Sequence, residues 1–180
     1  TDFVSETKKM IVGDPLNENT NIGAIVSKLH YDKILSYIML AKEEGGQILC
    51  GGEALKIDGL ENGLFITPTI IEGLSNGCRT NQEEIFGPVV SIAPFDDDTE
   101  VVLLANESSY GLACSIWTEN ISRAHKLART INTGIVWINT WLNRDLRTPF
   151  GGMKDSGVGR EGGLEAMRFF TEAKNVCIQY

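Results

Sequence analysis

Short apolar runs alternate along this chain with amphipathic stretches, and no other feature limits its fold as strongly. "QILC" (47–50), "FITPTII" (65–71), "PVVSIAPF" (88–95), "LACSIWT" (112–118) and "IVWIN" (135–139) have the length and β-branched content of strands. Between them lie segments with apolar residues at helical spacing. Tyr31, Ile34, Leu35, Ile38 and Ala41 share one face of a helix predicted to start near Ser27, and Gly45-Gly46 stops it. Asp97, three residues before Glu100, caps a second helix that ends near Asn106. Ile121, Ala124, Leu127, Ala128 and Ile131 make the face of a third, closed by Gly134. Strands alternating with helices of this kind predict an α/β fold. Pro68 puts an edge or a bend in "FITPTII", and "PVVSIAPF" reads as a buried strand.

With 180 residues, 42% of them hydrophobic, the chain can bury a core, and its length suggests one domain. The 16 basic and 24 acidic side chains leave a net charge of −8 without a Lys/Arg cluster, which argues against a nucleic-acid partner. The apolar runs are too short to span a bilayer, and the polar start "TDFVSETKK" does not read as a signal peptide. Four widely spaced cysteines (50, 78, 114 and 177) and two histidines offer no metal-ligand spacing. The thiols read as reduced, as in a cytoplasmic protein. Cys50 ends an apolar strand, Cys114 lies inside one, and Cys78 and Cys177 have no base beside them in sequence, so no nucleophile stands out.

Two motifs need opposite treatment. Gly157-Val158-Gly159-Arg160-Glu161-Gly162 satisfies a dinucleotide fingerprint on paper, but that fingerprint needs a strand before it and a crossover helix after it. Here a long Gly-rich loop, Thr140 to Gly163, surrounds it, so it reads as a turn. The same loop carries "NTWLNRDLRTPFGG" (139–152), with two arginines between Trp141 and Phe150. A loop of this length is usually functional or disordered, and the aromatic and Arg content favours function. In "NQEEIFGPVV" (81–90), a carboxylate at a strand edge suits two ribose hydroxyls, and Phe86 suits a flat ring; a solvated Glu pair and a core Phe are the plainer alternative.

"VGDPLNENTNIGAIVS", "FITPTI", "EEIFGPVV", "YGLACSIWT", "INTGIVWIN" and "PFGGMKDSGVGREGG", in that order, closely resemble the C-terminal catalytic region of the aldehyde dehydrogenase superfamily. The resemblance covers nearly the whole chain. It implies an open, twisted, largely parallel sheet with flanking helices, and a C-terminal strand that joins subunits into a homodimer or homotetramer. Residues 1–170 are then expected to be a partial catalytic domain and 171–180 the oligomerisation strand. It further implies NAD(P)-dependent oxidation of an aldehyde to an acid. A cysteine attacks the aldehyde, hydride passes to nicotinamide, and a glutamate activates water for thioester hydrolysis.

Carried over by position, the resemblance makes Glu84 the ligand of the nicotinamide ribose and Phe86 the aromatic beside it. Lys33 falls near the same ribose, and His30 stands where many members have glutamine. Phe150 becomes a wall of the substrate tunnel. The nucleophilic cysteine, the general-base glutamate, the oxyanion-hole asparagine and the cofactor-binding βαβ unit fall upstream of the matching segments, so no catalytic residue is expected among these 180. The chain alone is expected to be inactive. NAD is the expected cofactor, with NADP as the alternative.

Arg144 replaces an aromatic or apolar residue of many relatives. "NTWLNRDLRTPFGG" resembles instead the subgroup acting on 2-hydroxymuconate and 2-aminomuconate semialdehydes, whose far end is a carboxylate. A bidentate Arg–carboxylate pair supplies strength and orientation there. Arg144, Phe150 and Trp141 are thus the expected substrate contacts. An ion pair of Arg144 with Asp145 or Asp155 is the plainer alternative, and Arg147 has no assigned role. Other acidic semialdehydes such as succinate semialdehyde, or a non-catalytic assembly module, are the competing functions.

Overall fold

The computed structural model describes residues 2–180, which fold as two compact units, the first running to Pro94 and the second Phe95–Tyr180. The first contains helices α1 (Asp2–Lys8), α2 (Lys28–Glu43) and α3 (Arg79–Gln82) and strands β1 (Gln47–Cys50), β2 (Ala54–Leu55), β3 (Phe65–Ile66), β4 (Thr69–Glu72) and β5 (Val89–Ile92). The second contains α4 (Asp98–Glu107), β6 (Tyr110–Gly111), β7 (Ala113–Ile116), α5 (Ile121–Thr130), β8 (Ile135–Ile138), β9 (Met153–Lys154) and α6 (Gly163–Phe170).

In the first unit α2 begins where the sequence puts it. The Ser27 hydroxyl accepts the His30 N–H at 3.2 Å, satisfying one of the free donors of the first turn. At the other end Gly45 takes a left-handed φ of 91°, and the Gly45 and Gly46 N–H groups reach back to Lys42 and Ala41 carbonyls. Those two bonds form a Schellman stop. The apolar stripe between these caps is buried: Ile34, Ile38 and Ala41 are at most 1% exposed. Ile34 and Ile38 pack with Ile66, while Ala41 packs with Ile71 and Leu74. Each fully buried side chain of this size contributes about 1.5–3 kcal/mol relative to exposure.

The sheet under α2 has the order β1-β4-β5, antiparallel between β1 and β4 and parallel between β4 and β5. "FITPTII" divides at Thr67-Pro68: β3 pairs with β2 in a separate ribbon, and β4 becomes the central strand. Pro68 thus marks a bend. β5 departs from the expected buried strand, since it pairs only with β4 and Val90 is exposed on its free side.

The second unit is built on a β-α-β element. β7 and β8 pair in parallel, from Ala113 opposite Ile135 to Ile116 opposite Ile138, and α5 connects them. Ile116, Leu127 and Ile131 form its core with Val101, Val102 and Val136 around them. Ile121 lies outside that core and is exposed. Asn120 caps α5 through the Arg123 N–H, and Asp97 caps α4 through the Thr99 and Glu100 N–H groups.

The long loop after β8 is folded back on itself. β9 pairs with β6, and a single antiparallel bridge joins Phe150 to Glu161. The Lys154 ammonium donates to the Asn106 and Ser108 carbonyls, and Arg160 donates to the Gly152 carbonyl at 2.8 Å.

The α/β layering agrees with the sequence. A single open, largely parallel sheet is not formed among the described residues, because the two parallel pairs belong to different sheets. Residues 171–180 form no strand and are exposed throughout, since no edge within the described residues pairs with them.

Candidate functional site

The first unit brings His30, Lys33, Glu84 and Phe86 together. Residues 30, 33, 34 and 37 lie along one face of α2, and the turn 83–87 runs across that face in the opposite direction. The Tyr37 hydroxyl donates to the Glu83 carboxylate, and the Lys33 ammonium donates to the Glu84 carbonyl at 2.7 Å. His30 Nε2 donates to the Phe86 carbonyl at 2.6 Å. The His30 and Phe86 rings meet edge to face, 5.8 Å between centres. Phe86 sits at φ 59°, a left-handed conformation rare for a bulky residue, and the residue is 75% exposed. The Glu84 side chain is exposed beside it. A hollow of about 290 Å³ opens there, with Thr80, Glu83, Glu84, Phe86 and Ser91 on its wall.

Behind this turn stands a polar support that sequence reasoning missed. Arg79 binds both oxygens of Glu83, Nε to Oε1 at 2.6 Å and Nη2 to Oε2 at 3.0 Å. The hydrogen bonds from Arg79, and then from Tyr37, hold the Glu83 carboxyl down at about 2. The Glu83 carboxylate in turn pushes the Tyr37 hydroxyl up. Glu44, just past α2, accepts from the Arg79 and Thr80 N–H groups and from the Thr80 hydroxyl, and the Thr80 bond draws its carboxyl down. The i,i+4 spacing of Arg79 and Glu83 in "RTNQE" was the available signal.

The second unit sorts the two arginines. Arg144 lies over the Phe150 ring with Cζ 3.8 Å from its centre, and its Nη2 donates to Glu161 Oε1 at 2.8 Å. Its side chain is 30% exposed. Phe150 and Glu161 exchange both backbone hydrogen bonds at 2.8 Å, so ring and carboxylate are delivered by the two sides of one bridge. Glu161 therefore takes the place that Asp145 or Asp155 held in the ion-pair alternative. The remaining guanidinium N–H groups of Arg144 hold no hydrogen bond among the described residues, leaving an edge suited to a further carboxylate.

Arg147 is closed off by contrast. Its Nε and Nη2 grip the Asp145 carboxylate, at 2.9 and 2.6 Å to the nearer oxygens, and this contact lowers the Asp145 carboxyl. Trp141 packs edge to face on Trp137, 4.9 Å between centres, and not on Arg144. Trp137 is anchored by its indole N–H on the Asn143 carbonyl. Glu161 was invisible as a partner from sequence, being 17 residues away from Arg144. A cavity of about 240 Å³ adjoins Phe150, bounded also by Leu112, Arg160, Glu161 and Phe169.

Cys50, Cys78 and Cys114 are placed as bland thiols, and Cys177 is exposed. Cys50 is buried with its sulfur 3.8 Å from the Pro68 carbonyl, and burial pushes the Cys78 and Cys114 thiols up. Gly157, Gly159 and Gly162 lie in the folded-back loop. A Cβ on Gly159 would strike the Phe169 ring at 2.3 Å, and one on Gly162 the Thr148 carbonyl at 2.2 Å. Close packing against α6 accounts for Gly159, and close packing within the loop for Gly162. Among the described residues no group of three or more His, Cys, Asp or Glu is placed to hold a metal ion, and no helix is long and apolar enough to cross a membrane.

The family model described as "Aldehyde dehydrogenase family" matches residues 1–176. A 2-aminomuconic 6-semialdehyde dehydrogenase of Pseudomonas sp. is 47% identical over 96% of this chain and 35% of its own length. A 2-hydroxymuconic semialdehyde dehydrogenase of Pseudomonas sp. (strain CF600) is 45% identical over 99% of this chain and 38% of its own. The solved structure of betaine aldehyde dehydrogenase from Staphylococcus aureus in complex with NAD+ matches with a TM-score of 0.90 and 38% identity, covering 94% of this chain and 34% of that one. The chain thus spans little more than a third of the length of these relatives.

Proposed function

This chain belongs to the aldehyde dehydrogenase family, and from that premise we propose that it is part of an NAD-linked enzyme that oxidises a carboxylate-bearing semialdehyde to the acid. The observation that carries this reading is Arg144, partly buried, stacked on Phe150 and engaged by Glu161 at one nitrogen only. A guanidinium held this way fits a carboxylate at the end of the substrate remote from the aldehyde. Fixing that end orients the aldehyde, so binding energy won far from the reacting carbon serves the chemical step. The names of the muconic semialdehyde relatives make substrates of that length the first choice. Phe150 is our choice for the apolar wall of the substrate passage, and Trp141, packed on Trp137, for a further substrate contact.

For the cofactor, an exposed carboxylate next to an exposed ring on a rigid turn is chemistry that fits a ribose and its base. We assign Glu84 to the ribose hydroxyls and Phe86 to the ring, with Lys33 and His30 beside them. NAD rather than NADP is our choice, in keeping with the NAD+ complex of the solved relative. When bound, the nicotinamide supplies the hydride acceptor. The nucleophilic cysteine and the general base belong to another part of the full-length protein, because the thiols placed here are buried, raised by burial, or in the exposed segment 171–180. Residues 1–180 alone therefore do not oxidise aldehydes.

Residues 171–180 are our choice for a strand added to a neighbouring subunit, in a homodimer or homotetramer; unpaired edges and alternating segments suit that use. Four free cysteines suit the cytoplasm. The test of the substrate class is a panel of aldehydes offered to the full-length enzyme with NAD. A kcat/KM for muconate-type semialdehydes at least about tenfold above that for betaine aldehyde and for an uncharged aldehyde of equal length is expected, since a paired charge contributes about that much. Equal kcat/KM across the three would end the reading.

A further inference from the structure

Resting on the substrate reading above, we propose that Glu161 is a positioning residue that sets the direction in which Arg144 meets the far carboxylate of the substrate. Phe150 and Glu161 stand directly opposite each other in an antiparallel bridge and exchange both backbone hydrogen bonds at 2.8 Å. Side chains of such a pair leave the same face of the ribbon. Arg144 spans both. Its guanidinium carbon lies 3.8 Å from the centre of the Phe150 ring, and its Nη2 donates to Glu161 Oε1 at 2.8 Å. The bridge has no slack on either side. A Cβ on Gly151 would stand 2.8 Å from the Gly159 carbonyl oxygen, and one on Gly163 2.3 Å from the Arg147 carbonyl oxygen. Backbone therefore lies on backbone, and ring and carboxylate keep a fixed spacing.

The two contacts of Arg144 act differently. Stacking holds the guanidinium against the ring face but leaves it free to turn about the axis through the ring. A hydrogen bond at one nitrogen removes that turn, because the donors of a guanidinium form a rigid planar fork. Nε and Nη1 carry no hydrogen bond among the described residues, so their N–H groups are left facing one fixed direction. Glu161 also carries a charge that repels the carboxylate of the substrate. Its side chain is 59% exposed, against 30% for Arg144, so water screens that repulsion and orientation is the larger effect.

The test uses the full-length enzyme with NAD, a muconate-type semialdehyde and an uncharged aldehyde of equal length. Glu161→Ala should raise KM for the semialdehyde about three- to tenfold, the size of one lost hydrogen bond, while its kcat changes less than about twofold. The uncharged aldehyde does not engage Arg144, and its KM should change less than about twofold. Glu161→Gln, which keeps an acceptor oxygen at the same reach, should restore KM for the semialdehyde. In an Arg144→Ala background, Glu161→Ala should add nothing, since the two residues act as one unit.

An unchanged or lowered KM for the semialdehyde in Glu161→Ala would overturn the proposal, the lowered value marking Glu161 as a competitor for Arg144. So would an equal rise for the uncharged aldehyde, which would mark general damage, or a fall in kcat for both substrates, which would put Glu161 on the reaction itself. Failure of Glu161→Gln to restore KM, or a full further loss in the Arg144→Ala background, would also overturn it. Arg144→Ala alone separates the two levels. If it leaves KM for the semialdehyde unchanged, the substrate reading fails and the role of Glu161 with it. If it raises that KM while Glu161→Ala does not, only the role of Glu161 fails.

Discussion

Arg144 and Phe150 are stacked, cation over ring, with the guanidinium carbon 3.8 Å from the ring centre. Such a contact contributes about 0.5–2 kcal/mol depending on desolvation, and here it also fixes the plane of the guanidinium. Arg147, three residues on, has the same chemistry but is 88% exposed and spent on Asp145. The difference in surroundings, not in residue type, separates a candidate anchor from a surface ion pair.

Acid should loosen the first unit through Glu83. Its folded value of about 2 lies below the ordinary 4.5, held there chiefly by Arg79. The stabilisation from a depressed carboxyl is fully present above about 4.5 and is lost as pH falls toward 2. Thermal unfolding of the full-length protein from pH 7 to 2 should therefore show a shallower acid decline in Glu83→Gln than in wild type. Parallel declines would contradict this.

Gly162 should not tolerate a side chain. Its φ is 94°, and a Cβ would lie 2.2 Å from the Thr148 carbonyl. Gly162→Ala should cost about 2 kcal/mol or more from strain and overpacking, and it should displace the segment between Arg144 and Phe150. A lowered Tm together with a raised KM for the carboxylated substrate is the expected pair of results.

Ile34 supports the turn from below. Ile34→Ala leaves a cavity at a fully buried position and should cost about 2–5 kcal/mol. A Tm within a degree of wild type would show that the core of α2 collapses around the gap.

Much of this frame was legible in the sequence because local physics sets it. The Ser27 cap, the Ile34/Ile38/Ala41 stripe and the Gly45 stop are all encoded in α2 and the residues that flank it. The β7-α5-β8 element was equally plain from its periodicity. What stayed hidden depends on residues far apart in the chain. The 83–87 turn meets helix residues 46 to 56 positions earlier, and Glu161 reaches Arg144 across 17. A left-handed Phe86 has no signature, since glycine is the residue that announces such a backbone. α6 was masked by the two glycines at its start, both at positive φ. An apolar run such as "PVVSIAPF" does not say how many neighbours its strand will have.

The central claim is that Arg144 receives the far carboxylate of the substrate. It is tested most directly by Arg144→Ala in the full-length enzyme, with KM measured for a carboxylated semialdehyde and for an uncharged aldehyde of equal length. Loss of a charge-assisted pair should raise the first KM by about ten- to a hundredfold and leave the second within about twofold. Equal changes in both, or none in either, would contradict the account.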